Sequence, residues 1–276
     1  MAANSSAVYS QLGDAADEVS LYAVLGKDRE AEQIVAWLQE QSVDTQLVVH
    51  DPKTHTPKAF IWADTITGHR HVFYDEASLS LLTSEYIANA VDHSRPDMIH
   101  VGGVGVLPAV ESELPALFAD WKKRHITVSF DTCQPPNGRM TPYMDSIVPL
   151  ADVVMTSTLE CEMFFGHRDP QALLEHLIGL GAGAALVTDG KRGLSAQSVD
   201  GERVDLAGLG MVDVTLDHEA PLLIDETGCG DASKAVFLWV YRHFQSIPLA
   251  AMSANIIGAR TALGAGGLAG ALSWDK

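Results

Sequence analysis

The chain has 276 residues, 47% hydrophobic and 20% charged, with 23 glycines and 12 prolines, a balance that excludes disorder, collagen and a coiled coil and suffices for a buried core. Lys and Arg total 18 against 36 Asp and Glu, a formal net charge of −18. A field of that sign repels phosphate backbones and anionic lipid, so neither nucleic acid nor a membrane is expected as a partner.

The length suits one large α/β domain spanning residues 1–276. Cys133, Cys161 and Cys229 leave one thiol over in any disulfide scheme and lack the paired spacing of a zinc site, which predicts a reducing, cytoplasmic setting. No apolar stretch approaches the ~20 residues of a membrane span.

Short β-branched or aromatic runs alternate with helical periods along the chain, the pattern of βα units around a mostly parallel sheet. Strands are predicted over residues 19–24, 98–101, 126–131, 153–155 and 184–188. Residues 29–41 place Ile34, Val35 and Leu38 on one helical face, and residues 107–124 do the same with Val110, Leu114, Leu117, Phe118 and Trp121. Between these helices, residues 58–64 and 70–74 read as a hairpin turned at Gly68, a flap beside the sheet that carries Trp62, His71 and Phe73. His50, His55, His69 and His71 gather around that flap and read as surface residues. Val101-Gly102-Gly103-Val-Gly105 has Pro108 where a dinucleotide fingerprint counted from Gly103 needs its last glycine, which argues against a dehydrogenase. Two apolar helices, residues 231–244 and 248–263, precede a glycine-rich segment, 264–270, read as a loop.

The most informative stretch is Leu222-Leu-Ile-Asp225-Glu-Thr227-Gly228-Cys229-Gly230-Asp231-Ala232, an apolar run, a small-residue turn and a helix. Gly228 and Gly230 let backbone amides turn toward one point, and the helix adds its partial positive charge, so the segment reads as an anion cradle. Asp231 has two readings: an N-cap accepting an N–H of the first turn, or a general base taking the proton of a hydroxyl beside the cradle. Cys229 reads as a replacement for a small alanine.

Four further segments accompany this one in order: Asn4-Ser-Ser-Ala-Val-Tyr-Ser-Gln-Leu-Gly13, Gly26-Lys-Asp28, Leu186-Val-Thr188-Asp-Gly190-Lys-Arg-Gly193, and Asn255 on the penultimate helix. Together the five resemble the ribokinase/PfkB family of sugar and nucleoside kinases over nearly the whole chain. The family signature Asp-Thr-x-Gly-Ala-Gly-Asp is matched by Asp225 to Asp231 with Glu226 and Cys229 substituted. The resemblance implies a ribokinase-like three-layer αβα fold, with a mostly parallel central sheet and a small β lid around residues 58–75.

It also implies ATP-dependent phosphorylation of a hydroxyl on a small sugar or nucleoside. Asp231 would be the base and would meet the acceptor together with Asn4. The amides of Gly228, Cys229 and Gly230 would hold the transferring phosphoryl group. Thr188, Gly190, Gly193 and Asn255 would line the nucleotide. Asp225 and Thr227 fall where many members bind a monovalent cation such as K⁺, a structural turn being the other reading of Asp225. Glu160 would orient a water on Mg²⁺, or complete a capping box with Ser157 or Thr158. A homodimer through the lid is a further implication.

Three departures bear on activity. Ser157 replaces the asparagine of the family's Asn-x-x-Glu, and Phe130-Asp131-Thr-Cys133 stands where the family has Asp-x-Asn-x-Arg, leaving Asp131 a supporting role. The family's opening strand, with a substrate-holding aspartate, and its Gly-Gly pair have no counterpart before Asn4. The sequence therefore reads as shortened at its start; a real loss would expose a strand edge. These departures favour the second reading, a catalytically impaired ligand-binding or regulatory protein of the same fold.

Overall fold

The computed structural model describes residues 1–13, 17–63, 70–135, 143–166, 168–209, 225–264 and 266–272. Its elements in chain order are α1 (Ala2–Leu12), β1 (Ala23–Gly26), α2 (Arg29–Glu40), β2 (Val48–Asp51), β3 (Lys58–Ala63), β4 (Arg70–Asp75), α3 (Ser84–Ser94), β5 (Met98–Val104), α4 (Leu114–Lys123), β6 (Thr127–Thr132), α5 (Met144–Ile147) and β7 (Val153–Ser157). They continue with α6 (Thr158–Phe165), α7 (Pro170–Leu180), β8 (Ala184–Thr188), β9 (Gly193–Ser198), β10 (Arg203–Ala207), α8 (Cys229–Phe244), α9 (Ile247–Thr261) and α10 (Ala269–Leu272).

Six strands form the main sheet in the order β10-β9-β8-β7-β6-β5. Strands β5 to β8 run parallel, and β9 and β10 add an antiparallel edge. β1 and β2 make a separate parallel pair, while β3 and β4 pair antiparallel from Lys58↔Asp75 to Ala63↔Arg70. This is the ribokinase-like α/β architecture expected from the sequence.

Strand alternation builds the three layers. Val153 and Met155 of β7, with Ala184 and Leu186 of β8, pack into a core shared with α1, α8 and α9. Val154, Ala185 and Val187 face the opposite way, into a core with α4, α6 and α7. Phe118, Trp121 and Phe130 are wholly buried there, with the Phe118 and Phe130 rings 5.9 Å apart, and each such side chain contributes about 1.5–3 kcal/mol. Along β6 the same alternation sends Val128 and Phe130 to this core and Ser129 and Asp131 to the α8 side. The fold thereby presents one buried carboxylate to helix α8.

Several sequence expectations shift. The first strand begins at Ala23, and Ser20 makes only a single bridge to Asp44. The helix expected over 107–124 starts at Leu114 after a 3₁₀ turn, because Pro115 is tolerated only in a helix's first turn. Strands β2, β9 and β10 were not predicted: β9 is rich in small and polar residues, and β10 is a half-exposed edge. The glycine-rich end includes the short helix α10. The hairpin turn with Gly68 and His69, and the apolar run Leu222 to Ile224, lie outside the described residues. Among the described residues, no helix is long and apolar enough to cross a membrane.

Candidate active site

The carboxyl ends of β6 and β7 meet the first turns of α8 through Asp131, Thr132 and Glu160, at the end of the parallel strands where such sheets place their ligand crevices. Helix α8 begins at Cys229, two residues earlier than expected, with Gly228 as its N-cap at φ 81°. A Cβ on Gly228 would lie 1.8 Å from Gly267 O, so the turn needs glycine both for its left-handed backbone and for its packing on the C-terminal glycine segment. A Cβ on Gly230 would meet nothing within 4 Å among the described residues, which leaves room at this point of the first helical turn.

Of the three expected cradle amides, Cys229 N–H donates to Glu226 O at 3.3 Å. Those of Gly228 and Gly230 have no acceptor among the described residues, as expected of donors at a helix start. Asp225 shapes the turn beneath them: its Oδ1 accepts from Thr227 N at 2.9 Å and its Oδ2 from Gly266 N at 3.1 Å. This is the turn reading of Asp225, with a tie to the chain end added.

Asp231 sits in the first turn and caps nothing with its side chain. Instead, Asn4 Nδ2 donates to Asp231 Oδ2 at 2.7 Å, and Met1 N lies 3.6 Å from the same oxygen. The Ser5 hydroxyl donates to the Asp231 carbonyl at 3.4 Å. Helix α1 thus fixes a carboxylate that is only 14% exposed. His100 of β5 flanks the cluster, its Nδ1 at 3.0 Å from Ser129 Oγ and its buried Nε2 without a hydrogen bond among the described residues. Burial lowers the basicity of that imidazole, against the pull of Asp131.

Glu160 realises the capping box: Ser157 Oγ accepts from Glu160 N at 3.2 Å, and Ser157 N donates to Glu160 Oε2 at 3.0 Å. The Thr132 hydroxyl lies 2.9 Å from the same Oε2 and 2.7 Å from Thr156 Oγ1. Asp131 is fully buried, with Oδ1 accepting from Gly103 N at 2.5 Å. Lys234, on the turn after Asp231, reaches down to Asp131 Oδ2 at 3.5 Å and Glu160 Oε2 at 3.9 Å. Burial works to neutralise this ammonium, but Asp131, Glu160 and Asp231 outweigh it and raise its pKa, so it stays charged. Burial pushes the Cys133 thiol up to about 11 and that of Cys161 to about 12, which keeps both as thiols.

On the nucleotide side expected from the sequence, Thr188 Oγ1 donates to Thr156 O at 3.3 Å, and Thr158 Oγ1 to Asp189 Oδ1 at 2.6 Å. Arg192 clamps Asp189 through two bonds of 2.6 and 2.7 Å, which hold that carboxylate below its usual range. Gly190, at φ 54°, opens to free space, whereas a Cβ on Gly193 would strike Leu206 O at 2.0 Å. The need for glycine at 193 is therefore set by the neighbouring strand. Asn255 Nδ2 donates to Ala207 O at 2.9 Å and ties α9 to β10.

The structure thus gathers Asn4, Gly228, Gly230 and Asp231 at one point, Glu160 beside it through Lys234, and Thr188 across from Thr156. Sequence reading missed His100, Thr132, Thr156 and Lys234. Only Lys234 carried a signal, a lysine followed by the apolar run Ala235 to Val240 on a buried stretch of the helix.

The sequence pattern described as pfkB family carbohydrate kinase matches residues 1–271. An uncharacterized sugar kinase of Archaeoglobus fulgidus is 24% identical over 248 residues, covering 88% of this chain and 90% of that protein. A putative ribokinase II of E. coli, solved in complex with ATP and Mg²⁺, superposes with a TM-score of 0.77 at 19% identity, covering 98% of this chain and 83% of that one. A Burkholderia thailandensis nucleoside kinase in complex with inosine gives a TM-score of 0.73 at 18% identity, covering 96% and 78%.

Proposed function

Because the chain belongs to the pfkB family of carbohydrate kinases, we propose that it transfers the terminal phosphoryl group of ATP to a hydroxyl of a small sugar or nucleoside. One observation carries this reading: the Asp231 carboxylate, steered by Asn4 at 2.7 Å, stands beside the open Gly230 amide on the same helical turn. A base and an anion cradle are thereby one residue apart. Asp231 takes the hydroxyl proton, while the Gly228 and Gly230 N–H groups and the helix end stabilise charge on the phosphoryl oxygens. Positioning and electrostatics supply most of the catalysis. Thr188, Gly190 and Asn255 border the nucleotide, with Gly193 holding the shape of that border.

The residues present fit Mg²⁺ carried in with the nucleotide, since Glu160 offers a hard oxygen at the strand ends and the ion keeps most of its waters. Bound there, it would neutralise phosphate charge; Glu160 would hold one of its waters. At Asp225, Oδ1 accepts from Thr227 N and Oδ2 from Gly266 N, and each oxygen keeps a lone pair, so this turn with Thr227 would fit a monovalent cation such as K⁺ as well as shape the cradle.

Strands β3 and β4 form the lid in this reading. Phe60, Trp62 and Phe73 share one face of it and are 61–71% exposed, a surface suited to a second copy of the chain. The test is ADP formation with ATP, Mg²⁺ and a panel of sugars and nucleosides, comparing the protein with Asp231→Asn. The substitution should reduce turnover by at least ~100-fold and leave ATP binding intact. ATP and acceptor binding without any ADP in the unaltered protein would favour the ligand-binding alternative.

A further inference from the structure

Lys234 is a charged group that neither the base nor the cradle uses. It lies three residues after Asp231 on α8, on the same side of the helix. Its side chain is 5% exposed, and its ammonium lies 3.4 Å from Thr132 O, 3.5 Å from Asp131 Oδ2 and 3.9 Å from Glu160 Oε2. All three separations are long, so the ammonium stands between its neighbours instead of docking on one. Asp131 is wholly buried, and its Oδ2 makes no hydrogen bond; Lys234 is the cation it faces among the described residues. Two carboxylates and a carbonyl converging on one point are the surroundings of a small hard cation.

We infer that Lys234 is a built-in cation that fills the position where the Asp131 and Glu160 carboxylates and the Thr132 carbonyl would otherwise collect a divalent ion. It acts as a positioning residue for the phosphoryl transfer proposed above, and the inference rests on that reading. Glu160 Oε2 is taken by Ser157 N–H, the Thr132 hydroxyl and the Lys234 charge, while Oε1 accepts no hydrogen bond among the described residues. Lys234 thus leaves one face of Glu160 for the metal that arrives with the nucleotide. Its charge repels an ion from the buried side and so limits the site to a single divalent cation.

The test counts Mn²⁺ by electron paramagnetic resonance in the full chain without nucleotide. Lys234→Met keeps the length and burial of the side chain and removes the charge. We expect the unaltered protein to hold no Mn²⁺ tightly and the variant to bind one ion per chain at least ~10-fold tighter, because net site charge sets divalent affinity. A folded Lys234→Met protein, judged by a cooperative melt, with unchanged Mn²⁺ binding overturns the inference. Should that variant not fold, Asp131→Asn decides. It keeps Lys234 while stripping its counter-charge, so the Mn²⁺ of the ATP complex should be held several-fold more weakly, and an unchanged affinity overturns the inference. The nucleotide-free count does not use turnover. A protein that makes no ADP with any acceptor defeats the phosphoryl-transfer reading alone, whereas ADP formation with an unaltered Mn²⁺ count in Lys234→Met defeats the inference alone.

Discussion

Asn4 donates to the Asp231 carboxylate across 2.7 Å, joining residues 227 positions apart in the chain. A hydrogen bond to a charged acceptor is worth about 1.5–3 kcal/mol, and here it fixes the direction of the proposed base. Asn4→Ala should therefore lower kcat by about 10- to 100-fold with little change in KM for ATP. Asp231→Asn should cost at least ~100-fold. Steady-state kinetics on both checks the order; an Asn4→Ala enzyme with full kcat would remove α1 from the site.

Gly228 and Gly230 separate structure from chemistry. Gly228→Ala must place a Cβ 1.8 Å from Gly267 O at φ 81°, so the left-handed backbone alone costs about 1–2 kcal/mol and the melting temperature should fall by several degrees. Gly230→Ala meets no atom of the described residues and gains helix propensity, so its melting temperature should hold or rise while kcat/KM for ATP falls, because the methyl enters the proposed phosphate position. Calorimetry and kinetics on the pair measure this contrast. A Gly230→Ala protein with unimpaired kcat/KM would mean that the phosphates lie elsewhere.

Asp28 links α2 to the approach of β3. Its Oδ1 accepts from Ala31 N and the Thr56 hydroxyl, and its Oδ2 from Thr56 N at 2.7 Å. The Thr56 hydroxyl leads in holding the Asp28 pKa at about 2. A carboxyl depressed in the folded state stabilises above its unfolded pKa, near 4, and loses that contribution as pH falls through the folded value. The melting temperature of Asp28→Asn should thus lie below that of the parent by a margin that is constant above about pH 5 and closes toward about pH 2. Thermal melts across that range test it; a margin that widened in acid would contradict the sign.

The hairpin pair Phe60↔Phe73 sits in cross-strand register with both rings more than 60% exposed. If a second chain covers this face, Phe60→Asp with Phe73→Asp should convert a dimer to a monomer by light scattering while the melting temperature stays within a few degrees. An unaltered mass would place any association on another surface.

What could be read from the chain alone was whatever local chemistry imposes. The strands at 153–155 and 184–188 declare themselves because a sheet buried on both faces needs near-continuous apolar runs. The turn before α8 declares itself because a left-handed residue ahead of a helix favours glycine, here at 228. Glu160 three residues after Ser157 announces a capping box in the same way. None of these needs a distant partner.

Tertiary structure alone decided what Asp231 touches, why Gly193 must be glycine and where Lys234 sits. Asn4, Leu206 and Asp131 supply those answers from other elements, and no periodicity encodes which side chains the sheet order brings together. A lysine within an apolar helical face marks an unpaid electrostatic cost in the sequence. Only packing α8 onto β6 and β7 shows that the buried Asp131 and the half-buried Glu160 offset it.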